Sequence, residues 1–208
     1  MKMAIIGTGN VGSVLGTRWA KNGHQVIFGT RDPDSPKVKG VLNAAGPNAQ
    51  AASASEAVAG AEVVVLATPW NVTQQIIQSV GNLSEKIVID CTNPLSGGGL
   101  SVGHTTSAGE QVAEWATGAR VVKAFNTTGA KNMGDPLYGS QPATMFICGD
   151  EAEAKSAVAG LAGELGFEVV DVGPLAVARY LEPLAALWVH LAYRLGLGPD
   201  IAFKLLRR

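Results

Sequence analysis

Apolar residues along the chain fall into short β-branched runs, separated by longer stretches in which they recur every three or four positions. The short runs predict strands near Met3–Ile6, Gln25–Phe28, Val63–Leu66, Ile87–Ile89, Arg120–Ala124, Thr144–Ile147 and Glu168–Asp171. The helical spacing predicts helices near Val11–Asn22, Val72–Val80, Gly109–Ala116 and Glu151–Leu165. The first four strands are apolar without alternation, as strands buried on both faces are. Strand–helix alternation of this kind specifies a doubly wound α/β fold with a mostly parallel sheet. The Ala-, Ser- and Gly-rich stretch from Val41 to Gly60 reads as a loosely packed helix and turn.

Near the end of the chain Val177, Leu181, Leu184, Trp188, Leu191 and Leu195 form one apolar helical stripe. Pro183 lies within it, so the helix either starts there or kinks. A second short helix is expected over Pro199–Leu206, with Pro199 in its first turn. Residues 173–208 therefore form a small C-terminal helical extension that packs on the sheet or on a partner subunit, with a homodimer as the candidate assembly.

Composition narrows the function. Hydrophobic residues make up 47% and charged residues 16%, against roughly 25% charged in an average soluble protein, which suits a large buried sheet. A net charge of −1 gives no electrostatic footprint for nucleic acid. Cys91 and Cys148 are far apart and show no metal-ligand or dithiol spacing, so no metal site is expected. The apolar start is cut short by Gly7, and the apolar stretch Leu184–Leu195 is too short to span a bilayer. These features predict a cytoplasmic protein with reduced thiols.

The candidate chemistry begins at Gly7-Thr8-Gly9-Asn10-Val11-Gly12. In a strand–turn–helix of this spacing the first glycine allows the tight turn and the second lets backbone approach a diphosphate. The third permits close helix–strand packing. The free N–H groups of the helix that follows then face the anion. Residues 1–172 thus read as an NAD(P)-binding domain of Rossmann type. At the end of the second strand an acidic residue would select NAD, but the chain reads Thr30-Arg31-Asp32. A hydroxyl and a guanidinium suit the 2′-phosphate of NADP. Ser35 and Lys37 are further candidates for phosphate contact, and Asp32 is expected to cap a following helix.

Two long polar loops, Ser96–Ser107 and Asn126–Gln141, follow strands at the sheet's carboxyl edge and are expected to wall a site. The first, with Gly97, Gly98, Gly99 and Gly103, contains Gly99-Leu100-Ser101-Val102-Gly103 beside His104, a match to the hydrolase elbow. The elbow needs a strand before it and a helix after it, whereas a loop precedes Ser101. His24 reads as a surface turn residue and His190 as a packing or surface residue. Lys123 is either a catalytic ammonium or a structural partner.

The glycine turn, the Gly29-Thr30-Arg31-Asp32 run, Ala67-Thr68-Pro69-Trp70 and Cys148-Gly149-Asp150 together resemble the NADP oxidoreductases dependent on coenzyme F420. The same pattern occurs in the reductase domain of the six-transmembrane epithelial antigen metalloreductases, to which Val122–Thr127 is closer. Where archaeal F420 enzymes usually carry a His-Thr pair, this chain has Asn126-Thr127, and it lacks their extra glycine in the first turn. The resemblance implies diphosphate contacts from Thr8 to Val11 and a 2′-phosphate held by Thr30 and Arg31. It places Thr68, Pro69 and Trp70 beside the cofactor, and Asn93, Asn126 and Ala130 at the nicotinamide end. For Trp70 an ordinary half-buried aromatic is the alternative.

The expected activity is hydride transfer between NADP and a small-molecule redox acceptor, a flavin (FAD or FMN) or the deazaflavin F420. Such chemistry is carried by stacked cofactors and needs no dedicated acid or base. The alternative is an NADP-binding regulatory or sensing protein without turnover.

Overall fold

A computed structural model describes residues 1–97 and 99–208, so Gly98 of the first polar loop lies outside the described residues. The seven predicted strands pair into one sheet with an eighth, β3: β1 (Lys2–Ile6), β2 (Gln25–Gly29), β3 (Ala49–Ala52), β4 (Val63–Leu66), β5 (Ile87–Asp90), β6 (Arg120–Lys123), β7 (Thr144–Gly149) and β8 (Glu168–Asp171). Their order across the sheet is β8-β7-β6-β5-β4-β1-β2-β3. The first six are parallel. β7 runs antiparallel to β6, overlapping it only at Cys148 and Gly149, while β8 is parallel to β7.

Helices alternate with these strands: α1 (Asn10–Lys21), α2 (Pro36–Ala45), α3 (Ala54–Ala59), α4 (Trp70–Ser79), α5 (Ala108–Trp115), α6 (Ala130–Gly134), α7 (Ala152–Glu164) and α8 (Ala178–Val189). The two faces of the sheet follow from the period-two alternation of strand side chains. Met3 and Ile5 of β1, with Val63 and Val65 of β4, point to a core shared with α1 and α7. Ala4, Ile6, Val64 and Leu66 point the other way, into a core with α3, α4, α5 and α8. Both sides are apolar because both are covered, hence the uninterrupted runs in the sequence.

Three expectations change. The stretch from Val41 to Gly60 holds the end of α2, the edge strand β3 and the helix α3, not only a helix and turn. β3 reads Ala49-Gln50-Ala51-Ala52, without one β-branched residue, and is a strand because Val26–Gly29 of β2 offers it a parallel partner. Pro199–Leu206 is not a helix. The Phe203 carbonyl accepts the Thr144 amide and the Leu205 amide donates to Thr144 Oγ1, so the tail finds partners beside β7 instead of within itself. The C-terminal helix begins at Ala178 and passes through Pro183, which faces solvent; it ends in a π-turn over His190–Arg194.

His24 is likewise not a surface residue. It is buried, with Nε2 2.7 Å from Glu164 Oε2 and Nδ1 facing the N-terminal amine.

Candidate functional site

The carboxyl ends of β1, β2, β4, β5 and β6 share one edge of the sheet. The chain leaves β1 toward β2 and β3 on one side, and toward β4, β5 and β6 on the other. The crevice at such a reversal is where open α/β sheets bind ligands, and the glycine turn occupies it.

The three glycines of that turn have separable reasons. Gly7 has φ +108, and a Cβ there would stand 2.5 Å from the Ala67 carbonyl oxygen. A Cβ on Gly12 would run into the Gly7 carbonyl oxygen. Both glycines are demanded by the protein's own backbone. Gly9 is different: φ is −75, any residue could adopt its backbone, and nothing lies within 4 Å of an added Cβ. Its neighbourhood is open on the side where a diphosphate would pass. The helix that follows has no side-chain N-cap and no acidic residue in its first turn, so its leading N–H groups and dipole are uncompensated. These residues fit a dinucleotide diphosphate.

At the end of β2, Arg31 is exposed and forms no hydrogen bond or ion pair among the described residues. Thr30 accepts from the Asp32 amide at 3.4 Å, which leaves its own hydroxyl proton to donate. Ser35, not Asp32, is the N-cap of α2. Its hydroxyl donates to the Asp32 carbonyl at 2.9 Å. In this arrangement its proton is directed to that carbonyl. Asp32 instead turns the chain with its backbone.

Beyond β4, Thr68 is hydrogen-bonded to Thr73 at 2.9 Å, and Pro69 caps α4. Trp70 opens that helix with its indole stacked on Trp115, centroids 5.2 Å apart, and packs on the second core. It remains half-buried.

Asn93 and Asn126 meet across the ends of β5 and β6. Asn93 Nδ2 donates to the Asn126 carbonyl at 2.9 Å, and Asn126 Nδ2 donates to Asn93 Oδ1 at 3.1 Å. Asn126 Nδ2 also reaches the Leu181 carbonyl at 3.2 Å, while Asn126 Oδ1 is buried without a partner. Leaving a neutral acceptor in that condition costs about 1–3 kcal/mol. The residue before it, Phe125, is buried with φ +60, a left-handed conformation uncommon for a bulky side chain. Ala130 opens α6 one residue after Gly129, where a Cβ would meet the Trp188 ring at 2.6 Å.

Beneath this pair lies a buried ionic cluster that the sequence did not disclose. Lys123, fully buried, donates to Asp90 Oδ2 at 2.8 Å and the Thr92 carbonyl at 2.7 Å, and pairs with Glu182 Oε1 at 2.9 Å. Glu182 also accepts the Ala108 and Gly109 amides, both at 3.0 Å, and so compensates the first turn of α5. Burial alone would depress the Lys123 pKa and is its largest single influence, but the joint attraction of Asp90 and Glu182 outweighs it and raises the value. An ammonium held by three acceptors is no proton donor in waiting; Lys123 is structural. The only hint in the sequence was a charged residue inside an apolar strand.

The Ser96–Ser107 loop carries a short hairpin, Leu95–Ser96 with Gly99–Leu100. Ser101 follows it in a bend, both its amide and its hydroxyl directed to the Pro94 carbonyl. No helix follows at once, so the hydrolase elbow does not form. The loop and the start of α8 enclose a cleft of about 590 Å³ lined by Ser101, His104, Arg179 and Tyr180 among others. Ser101, on one wall of the cleft, is tied to the carbonyl of Pro94, the residue after Asn93. The Asn126–Gln141 loop is firmly pinned: Asn132 donates to Thr128 and to the Ile201 carbonyl, and Tyr138 donates to Asn132.

Cys91 and Cys148 are both buried and free. Burial drives both thiols upward, that of Cys148 to about 12. Neither is a nucleophile near neutrality. No helix among the described residues is long and apolar enough to cross a membrane, and none of them group into a metal-binding cluster.

An open sheet with an unencumbered glycine turn at its switch point defines a Rossmann-type dinucleotide-binding protein. The family model described as NADP oxidoreductase, coenzyme F420-dependent, matches residues 2–94. An F420-dependent NADP reductase from Methanothermobacter thermautotrophicus is 32% identical, the match covering 93% of this chain and 90% of the relative. The chain belongs to that family and is an NADP-dependent oxidoreductase. Metalloreductase STEAP3 of Rattus norvegicus is also 32% identical, over 88% of this chain; the match spans 36% of the length of that relative. In structure, the chain is similar to a candidate F420-dependent NADP-reductase from Arthrobacter sp. FB24, with TM-score 0.91 and 35% identity over 100% of both chains. A reductive aminase from Aspergillus terreus shares the fold at TM-score 0.69 and 20% identity, over 94% of this chain and 62% of that one. The alternative of a binding protein without turnover finds no support in these comparisons.

Proposed function

We propose that the protein transfers hydride between NADP and a flavin or deazaflavin acceptor of the F420 type, in the cytoplasm. The observation that carries this reading is the continuity of the sheet edge. The open glycine turn and the Asn93–Asn126 pair stand at the carboxyl ends of β1, β5 and β6, giving a place for a dinucleotide, and the cleft lined by His104 and Tyr180 is the candidate place for a second planar molecule.

Gly7, Thr8, Gly9, Asn10, Val11 and Gly12 hold the diphosphate, with the first-turn amides of α1 as donors. Thr30 and Arg31 take the 2′-phosphate, while Thr68 and Pro69 border the path toward Asn93, Asn126 and Ala130. NADPH supplies the hydride when bound. The protein's part is to orient the two partners, which requires rigid walls more than an acid or base. The pinned Asn126–Gln141 segment and the buried Lys123 cluster provide that rigidity.

The test is NADPH oxidation by the purified protein with F420, FMN, FAD and a ferric complex offered separately. The reading expects turnover with a deazaflavin or flavin. Tight NADPH binding with no oxidation by any of them contradicts it.

A further inference from the structure

We infer that the outer face of α8 docks on the same face of a second copy of the chain, the two helices antiparallel about a two-fold axis at Leu187.

The face follows from the period of the helix. α8 and the π-turn that continues it run from Ala178 to Arg194, about 25 Å. Ala178, Leu181, Ala185, Trp188 and Ala192 are its buried side. The opposite side carries Tyr180, Pro183, Leu184, Leu187 and Leu191, at the three- and four-residue spacing of one helix face. Tyr180 is 74% exposed and Leu187 46%, while Leu184 and Leu191 are half-buried. Leu195 and Leu197 prolong the strip, 60% and 57% exposed. The sole acidic residue between 178 and 197 is Glu182, on the buried side. A helix apolar on every side belongs in an interior, and a contiguous exposed apolar strip marks an interaction surface.

The polar ends of the strip select the occupant. Tyr180 and Arg194 stand seven residues either side of Leu187. Arg179 is consumed by Glu110, whereas Arg194 is exposed and pairs with no carboxylate among the described residues. Parallel copies would set Arg194 against Arg194. Antiparallel copies crossing at Leu187 set the Arg194 of each on the Tyr180 ring of the other, a cation–π contact. Leu184 and Leu191 of both copies then close the apolar middle. The face is self-complementary, as a two-fold interface has to be.

One helix face falls short of the roughly 800 Å² per partner of a standard interface, so the contact extends onto its flank. That flank is the cleft, because Tyr180 and Pro183 line it together with Val102 and His104. The second copy thereby adds the cation of its Arg194 to the rim of the cleft.

Sedimentation velocity of the full chain over a range of concentrations is expected to show a dimer whose share rises with concentration. Leu187→Arg puts two like charges on the axis and is expected to be monomeric, with the wild-type unfolding temperature and NADPH affinity. Crosslinking fixes the direction of the helices. Cys91 and Cys148 are buried, so thiols added on the face react with one another when oxidised with copper phenanthroline. Leu187→Cys and the double variant Tyr180→Cys/Arg194→Cys are expected to give disulfide-linked dimers, and Tyr180→Cys by itself is not. Positions 180 and 194 are about 21 Å apart along one helix, so the double variant cannot close on itself. A wild type that is monomeric at every concentration, whether free or pelleting with vesicles of anionic phospholipid, overturns the inference. So does a dimer undiminished by Leu187→Arg, or a crosslink in Tyr180→Cys alone. The wild-type measurement decides even if a variant does not fold.

Discussion

At the scale of single residues, the glycine turn separates demands of the fold from demands of a ligand. Gly7 and Gly12 are fixed by the carbonyls of Ala67 and Gly7, whereas no protein atom near Gly9 explains a glycine there. Arg31 is similar in kind, a guanidinium on the surface without a partner among the described residues. Arg31→Ala should weaken NADPH binding roughly ten- to a hundredfold, the effect of losing a charged hydrogen bond. NADH binding should scarcely change, and the gap should narrow with added salt because the site is exposed. Parallel titrations of both nucleotides check this; equal losses would make Arg31 structural. Gly7 and Gly12 were legible because each acts through its own backbone. Asp90 and Glu182 were not: their roles come from Lys123 and the α5 amides, partners distant in sequence.

At the scale of elements, hydrophobic period predicted the strands buried on both faces and the covering helices α1, α4, α5, α7 and α8, but not α2 and α3. It failed where neighbours decide. β3 owes its conformation to the free edge of β2, and the tail after Pro199 trades a possible helix for partners on Thr144 and Asn132. The clamp that joins β5, β6, α5 and α8 is the sharpest element-scale test. Lys123→Met leaves two buried carboxylates unpaired and should cost about 3–5 kcal/mol in urea unfolding. Its pH dependence has a definite sign. The Lys123 pKa is raised in the fold, so its contribution is complete below the unfolded lysine value and is lost only as pH rises through the folded one. Glu110 behaves oppositely. Its hydrogen bond from Arg179 is the largest influence and, with Ser107, overcomes desolvation to hold the carboxyl below its ordinary value of 4.5. Its contribution is present above that value and disappears as pH falls through the folded one. Glu110→Gln should therefore flatten the acid limb of a stability–pH curve below about pH 4.5 and leave the alkaline limb alone; a change only in the alkaline limb would refute this assignment.

At the scale of the whole molecule, six parallel strands bring turns from distant parts of the sequence to one edge, and β7 starts beyond that edge to form its flank. The helices on either face leave this edge as the route for a long ligand. The order of parts along it, from Arg31 through Gly9 to Asn126, is the central claim. Gly9→Val tests it most directly, because an added Cβ at that position has nothing among the described residues within 4 Å and stands in the path assigned to the diphosphate. The measurement is NADPH affinity together with thermal unfolding of the same variant. The account predicts a cooperative transition at the wild-type temperature and loss of NADPH binding. Wild-type affinity in a folded Gly9→Val protein would contradict it.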